Sequence, residues 1–241
     1  MKKLSIIIPV YNEEKTASKL LKKLYATRIP VAKIEYIIVN DGSTDNSMKT
    51  IKDQIAKGKS KETKLIHHKK NQGKGAAVKT GLQKATGDYV LIQDADLEYD
   101  PTDIIKLLNP IKEGTAKVVY GTRLKRLPNF KRDERNPRFL LQYMGNKFLS
   151  FTTSVLYSHW ITDMECCYKL FPRDALKDIQ LHAKSFDFEP EITAKLLKKG
   201  YKIIEISIST NPRGYEEGKK LRPLRDGTKA LLTLLKYRFV E

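Results

Sequence analysis

The chain has 241 residues, of which 40% are hydrophobic and 31% charged. That is enough for one large or two small domains with a buried core, and too apolar for a wholly disordered chain. Lys and Arg number 46 against 28 Asp and Glu, a net charge of +18, so an anionic partner is expected: nucleic acid, an anionic membrane surface or a phosphorylated substrate.

Leu4 to Val10 is a short apolar run rich in β-branched residues and reads as a buried strand, with Pro9 near its end. No apolar run approaches the roughly 18 residues that cross a bilayer. The stretch after Met1-Lys2-Lys3 stops at Asn12-Glu13-Glu14, so a signal peptide is excluded and a cytosolic chain is expected. A helix is predicted from Glu13 to Tyr25, with Ala17, Leu20, Leu21 and Leu24 on one face. Ile34 to Val39 is the second strand, and Ser43 or Thr44 is expected to cap a helix running to about Ile55. Thr63 to His67 is a third short strand, and Asn71-Gln72-Gly73-Lys74-Gly75 opens a helix through Ala85. Asp88 to Gln93 is the fourth strand, Pro101 to Ile111 a helix and Ala116 to Tyr120 the fifth strand.

Beyond this point the pattern loosens. Gly121 to Pro137 is a long basic connection, expected to be mobile, and a helix is predicted over Phe139 to Val155. The cysteines, Cys166 and Cys167, are neighbours. A trans peptide sets their Cα atoms closer than a disulfide accepts, and two thiols alone make no zinc site, so they read as buried thiols. Cys166 to Phe171 is a strand, Glu189 to Leu197 a helix with Pro190 in its first turn, and Tyr201 to Ser209 a final strand. Residues 213–241 carry eight basic and four acidic side chains. The stretch from Leu224 to Phe239 reads as an amphipathic helix, packed on the sheet or lying in a membrane interface. Alternating strands and helices at this spacing predict an α/β fold with a mostly parallel sheet. One catalytic domain over residues 1–212 and a basic extension over 213–241 are expected.

Ligands on such sheets sit beyond the C-terminal ends of the strands, and the acidic clusters fall there. Asp94 and Asp96, one residue apart after a hydrophobic strand, can share a hard cation such as Mg²⁺ or Mn²⁺, with Glu98 close enough to join; a solvated turn is the alternative. Asp41 can accept hydrogen bonds from a base or ribose, and Gly42 permits close backbone approach. Asn12 and Glu13 converge on the same rim. Neither a Walker A loop nor the GxGxxG fingerprint follows the first strand, so a dinucleotide oxidoreductase is disfavoured. Lys74 reads equally as solvated or functional, whereas Arg123 after the fifth strand suits a diphosphate. Asp163 and Glu165 are candidate bases. The four histidines fall in no recognised motif.

Taken together these segments resemble inverting family 2 glycosyltransferases of the GT-A fold. Pro9-Val10-Tyr11-Asn12-Glu13 is similar to that family's opening motif, Asn40-Asp41-Gly42-Ser43-Thr44-Asp45 to its Asp-Asp-Gly-Ser-x-Asp segment, and Asp94-Ala95-Asp96 to its DxD motif. Gly121-Thr122-Arg123, Asp163 to Arg173, Phe186 to Glu189 and Glu217-Gly218-Lys219-Lys220 resemble the dolichyl-phosphate mannose synthase and polyprenyl-phosphate branch. Asn40, Glu165-Cys166-Cys167 and Glu217 to Lys220 depart from the usual pattern.

The resemblance implies transfer of a hexose from GDP-mannose or UDP-glucose to a polyprenyl phosphate at the cytosolic face of a membrane. Pro9, Tyr11, Glu13, Asp41, Asp94, Ala95, Asp96 and Arg123 would bind the donor. Asp94, Asp96 and Glu98 would hold Mg²⁺ or Mn²⁺. Asp96, Arg123 and Asp163 would serve the reaction, and Arg213, Lys219 and Lys220 would meet the acceptor phosphate. A membrane-protein partner is compatible with this, although no motif identifies one. The alternatives are a glycosyltransferase with a saccharide hydroxyl acceptor, a sugar-nucleotide sensor, and a nucleic-acid-binding module. The last has no base-reading motif and leaves the acidic rims unexplained, so no specific nucleic acid partner is expected.

Overall fold

The computed structural model describes residues 1–58, 62–123, 137–213 and 222–240. Residues 124–136 of the long basic connection and the Lys219-Lys220 pair therefore lie outside the described residues.

Among the described residues seven strands form one sheet: β1 (Lys3–Val10), β2 (Lys33–Asn40), β3 (Glu62–His67), β4 (Tyr89–Ile92), β5 (Val118–Thr122), β6 (Lys169–Pro172) and β7 (Ile203–Ser207). Their order is β3-β2-β1-β4-β6-β5-β7. β6 alone runs antiparallel to its neighbours, inserted between β4 and β5. The central strands are buried on both faces, as β-branched runs such as Ile6-Ile7-Ile8 and Ile37-Ile38-Val39 require. Val10 pairs with Asn40 and Ile7 with Ile92, so the C-terminal ends of β1, β2 and β4 share one edge.

Helices α1 (Ala17–Ala26), α2 (Ser47–Lys57), α3 (Lys74–Lys84), α4 (Asp103–Lys112), α5 (Pro137–Tyr157), α6 (Phe188–Lys198) and α7 (Pro223–Phe239) accompany the sheet. α1 buries Ala17, Leu20, Leu21 and Leu24, the face its spacing predicts. α7 packs Ala230, Leu234 and Tyr237 inward. The Leu234 carbonyl accepts from the Tyr157 hydroxyl at 2.8 Å, and the Lys195 ammonium lies 4.2 Å from the Tyr237 ring centroid. Cys166 and Cys167 are buried and unbridged.

Of the boundaries that differ from expectation, three have a visible cause in the hydrogen bonding. α1 begins at Ala17 rather than Glu13, because the segment before it is tied to the next loop: Asn12, at φ +49°, accepts the Thr44 N–H at 2.9 Å, and the N–H groups of Asn12 and Glu13 donate to the Ser43 and Ser47 hydroxyls. Ser43 consequently does not cap α2, which begins at Ser47. Its N–H is received instead by Asp45 Oδ1 at 2.9 Å. β6 begins at Lys169 rather than Cys166. Lys169 is fully buried and donates to the carbonyls of Met164 and Cys166, which folds the preceding segment into a turn.

Candidate active site

Three loops leave the C-terminal edge of β1, β2 and β4 and meet the start of α3. Asp41 is 2% exposed. Its Oδ1 accepts the Gln72 N–H at 3.0 Å and lies 2.7 Å from His68 Nδ1, while Oδ2 accepts the Gly73 N–H at 2.8 Å. Asp41 thus holds the Asn71–Gly73 loop against the rim. Gly42, at φ +67°, and Gly73, at φ +97°, permit this: a Cβ would overlap the Lys70–Asn71 backbone at the first and the Lys184 carbonyl at the second. His68, whose other ring nitrogen lies 2.9 Å from the Thr80 hydroxyl, is a supporting residue that no sequence motif reveals.

The loop after β4 carries Asp94, Asp96 and Glu98. Leu97 between them sits at φ +63°, a conformation that costs a leucine energy and is met mostly at functional turns. Asp96 Oδ1 accepts the Glu98 N–H at 3.0 Å. Burial, then the charges of Asp94 and Glu98, push the Asp96 carboxyl up to about 7. Asp94 Oδ2 accepts from the Lys74 ammonium at 2.9 Å, and that ammonium lies 2.7 Å from Glu189 Oε1. Lys74 is therefore a bridge between two carboxylates rather than a solvated side chain. Glu98 Oε1 accepts the Arg213 N–H at 3.1 Å.

The expected cage of Asp94, Asp96 and Glu98 is not ready-made: among the described residues no three acidic, His or Cys side chains are arranged to hold a metal. The donor set nonetheless fits a hard cation. Mg²⁺ takes one or two carboxylates and leaves its other positions to water and substrate phosphates, and a cation here would favour the charged form of Asp96, which burial and its acidic neighbours disfavour.

Arg123 follows β5. Its N–H and Nε–H donate to Asp163 Oδ2 at 2.9 and 2.8 Å, its Nη2 to Oδ1 at 2.8 Å, and its guanidinium lies 5.9 Å from the Tyr99 ring centroid. Asp163 is fully buried; burial would raise its pKa, but the Arg123 charge and hydrogen bonds hold the carboxyl below the usual range. Its backbone N–H is held in turn by Glu205 at 2.9 Å. An ionised carboxylate enclosed by its partner is poorly placed to act as a base, and Asp163 does not line the cavity. Its place is behind Arg123.

Pro9, Tyr11, Glu13, Asp41, Asp94, Ala95, Asp96, Glu98, Arg123 and Arg213 all line one cavity of about 340 Å³, within the range of small-ligand sites. Arg213 faces Glu13, donating from Nη1 and Nη2 at 3.1 and 2.7 Å, and also reaches the Asp96 carbonyl at 3.1 Å. It therefore stands beside the acidic loop. Glu165, Glu189 and Gln142 also line the cavity. Burial, then the charge of Glu189, push the Glu165 carboxyl up to about 8. Glu189 belongs to the Phe186–Glu189 segment that resembles the polyprenyl-phosphate branch, but its pairing with Lys74 is visible only once the chain folds.

A second cavity of about 230 Å³ runs between α5 and α7, lined by Leu141, Phe148, Leu149, Leu224 and Leu231 among others. Gln142, Asn146, Glu165 and Phe186 line both cavities. Beside the groove, α5 exposes Leu141, Met144, Phe148, Phe151 and Val155 at helical spacing. Among the described residues no helix is long and apolar enough to cross a membrane.

Residues 5–180 match the glycosyl transferase family 2 model. An uncharacterised protein of Methanocaldococcus jannaschii is 32% identical over 214 residues, covering 84% of this chain and 86% of its own length. The UDP-N-acetylglucosamine–dolichyl-phosphate N-acetylglucosaminyltransferase of Methanococcus voltae is 32% identical over 220 residues, covering 85% and 84%. The dolichyl-phosphate beta-glucosyltransferase of Dictyostelium discoideum is 28% identical over 247 residues, covering 98% and 74%. Among solved structures, glucosyl-3-phosphoglycerate synthase from Mycobacterium tuberculosis in complex with UDP superposes with a TM-score of 0.75 at 16% identity, over 100% of this chain and 81% of that one. Another structure of that synthase holds Mn²⁺, UDP and phosphoglyceric acid, with a TM-score of 0.72 at 15% identity and coverage of 100% and 80%. The acidic rim above a mostly parallel sheet, the family match across most of the chain and the shared architecture lead to one assignment: this chain belongs to glycosyl transferase family 2 and has the GT-A fold.

Proposed function

We propose that the protein transfers a hexose, with inversion, from a nucleoside diphosphate sugar to a polyprenyl phosphate at the cytosolic face of a membrane. The observation that carries this reading is the continuity of the acidic cavity with the apolar groove between α5 and α7. An acceptor with an anionic head and a hydrocarbon tail matches that continuity, and the exposed apolar stripe of α5 suits an interface. The names of the M. voltae and D. discoideum relatives support a dolichyl-phosphate acceptor.

The nucleotide lies over Pro9, Tyr11 and Asp41, with its diphosphate near Asp94, Ala95 and Asp96. Asp94 and Asp96 would hold Mg²⁺ or Mn²⁺, which when bound neutralises the diphosphate as it departs. Arg123, fixed by Asp163, adds a positive charge where negative charge develops. Arg213, held beside the acidic loop by Glu13, orients the incoming phosphate, together with Lys219 and Lys220. A phosphate oxygen of the acceptor attacks the anomeric carbon opposite the diphosphate. The new C–O bond forms as the old one breaks, and the nucleoside diphosphate leaves with the electron pair. The attacking phosphate is already anionic, so no side chain has to remove a proton.

The test is a panel of UDP-glucose, UDP-N-acetylglucosamine and GDP-mannose with polyprenyl phosphate and Mg²⁺ or Mn²⁺, read by product mass. A glycosyl phosphoprenol is expected from one donor. A sugar delivered to glycan acceptors while the lipid phosphate stays unmodified would overturn the acceptor.

A further inference from the structure

Three buried oxygen atoms around the junction of the two cavities have no hydrogen-bond partner among the described residues: Glu165 Oε1, Glu189 Oε2 and Gln142 Oε1. Glu189 is 3% exposed, and its other oxygen is taken by Lys74 at 2.7 Å. A buried acceptor left unpaired is costly, and three in one cavity call for a ligand that brings donors. We propose that Glu165, Glu189 and Gln142 form the subsite that receives the glycosyl group, selecting a neutral hexose by its hydroxyls and disfavouring a uronate. This rests on the nucleotide-sugar reading above.

Position supports the assignment. Lys74 spans Asp94 and Glu189, so Glu189 lies one side chain away from the diphosphate end. Glu165 and Gln142 line both the acidic cavity and the apolar groove, so they border the space between donor diphosphate and acceptor phosphate, where the anomeric carbon must sit. Phe186 lines both cavities too, with the Lys74 ammonium 6.0 Å from its ring centroid, and offers an apolar wall to the C–H face of a pyranose.

The chemistry is selective. Hydroxyls donate to carboxylate and amide oxygens. A carboxyl raised to about 8, as Glu165 is, keeps its proton at neutral pH and can also donate. A uronic carboxylate would face Glu189, which already shares the single Lys74 charge with Asp94, and would bring no cation of its own. Sites built to bond a substrate's hydroxyl groups reject analogues that cannot satisfy them.

Calorimetry with Mg²⁺ tests this, using UDP, UDP-glucose, UDP-glucuronate, GDP and GDP-mannose as probes for the wild type, Glu165→Ala, Glu165→Gln and Glu189→Gln. The readout is the affinity of each sugar nucleotide relative to its own nucleoside diphosphate. That ratio should fall about tenfold for the preferred hexose in Glu165→Ala and in Glu189→Gln, with partial recovery in Glu165→Gln. Unchanged nucleoside diphosphate affinity would show that each variant is folded. In the wild type the ratio should be about tenfold lower for glucuronate than for glucose if UDP is the accepted base. Variants that keep the hexose ratio while binding UDP or GDP normally would overturn the subsite and leave the nucleotide-sugar reading standing. A wild type that binds neither UDP nor GDP would remove both.

Discussion

Glu35 at one end of the sheet, and Asp96 and Glu165 at the other, are buried carboxyl groups treated in opposite ways. At the N-terminal end, Glu35 is fully buried and accepts from the Ser5 hydroxyl at 2.5 Å, the Thr86 N–H at 2.6 Å and the Lys64 ammonium at 2.9 Å. Burial alone would raise its pKa, but these partners overcome it and hold the carboxyl down to about 2. At the C-terminal end, Asp96 is pushed to about 7 and Glu165 to about 8, and Glu165 and Glu189 each keep an unpartnered oxygen. A satisfied carboxylate contributes to folding, whereas an under-satisfied cluster is stable only because the rest of the fold supports it. The difference singles out Asp96 and Glu165; Asp41 and Asp163, at the same end, are satisfied as Glu35 is.

The sharpest way to break that comparison is Asp96→Asn. It should lower transfer about a thousandfold while the melting temperature stays level or rises, because a like charge leaves a crowded loop. Thermal scans and initial rates on one preparation check both halves. Glu35→Gln should do the reverse, losing about 2–3 kcal/mol of stability with the turnover of the folded enzyme intact. Because the folded pKa of Glu35 is depressed, its contribution is complete above the ordinary Glu value of about 4.3 and disappears as pH falls towards 2. Urea midpoints should thus differ between wild type and variant at pH 7 and converge on acidification. Arg123→Lys, which cannot reproduce the fork on Asp163, should lower kcat about thirtyfold. The smallest effect belongs to the lipid face. Met144→Asp with Phe151→Asp, both exposed on α5 and outside the groove lining, should raise the KM for vesicle-embedded polyprenyl phosphate about tenfold and leave a short soluble prenyl phosphate unaffected.

Much of this was legible in the chain because it depends on local pattern. Apolar runs located the strands, the Ala17, Leu20, Leu21 and Leu24 spacing located the packed face of α1, and acidic residues after strands located the rim. What escaped was set by long-range pairing. The insertion of β6 between β4 and β5 has no local signal. Lys74 meets Glu189, Arg123 meets Asp163 and Glu13 meets Arg213 only because the sheet brings distant loops to one edge. Asp163 is only a candidate base or orienting residue in the sequence, since nothing near it reveals the guanidinium that pairs with it. The delayed start of α1 follows from the same cause: Asn12 and Glu13 bond across to the Ser43–Ser47 segment instead of beginning a helix.

The most direct test of the rim is calorimetric titration of UDP and GDP into the wild type, Asp96→Asn and Glu35→Gln, each with Mg²⁺ and with a chelator. One nucleotide should bind the wild type and Glu35→Gln with the cation, and binding should collapse with the chelator or in Asp96→Asn. Equal affinity in Asp96→Asn, or affinity indifferent to the cation, would contradict the assignment of that edge.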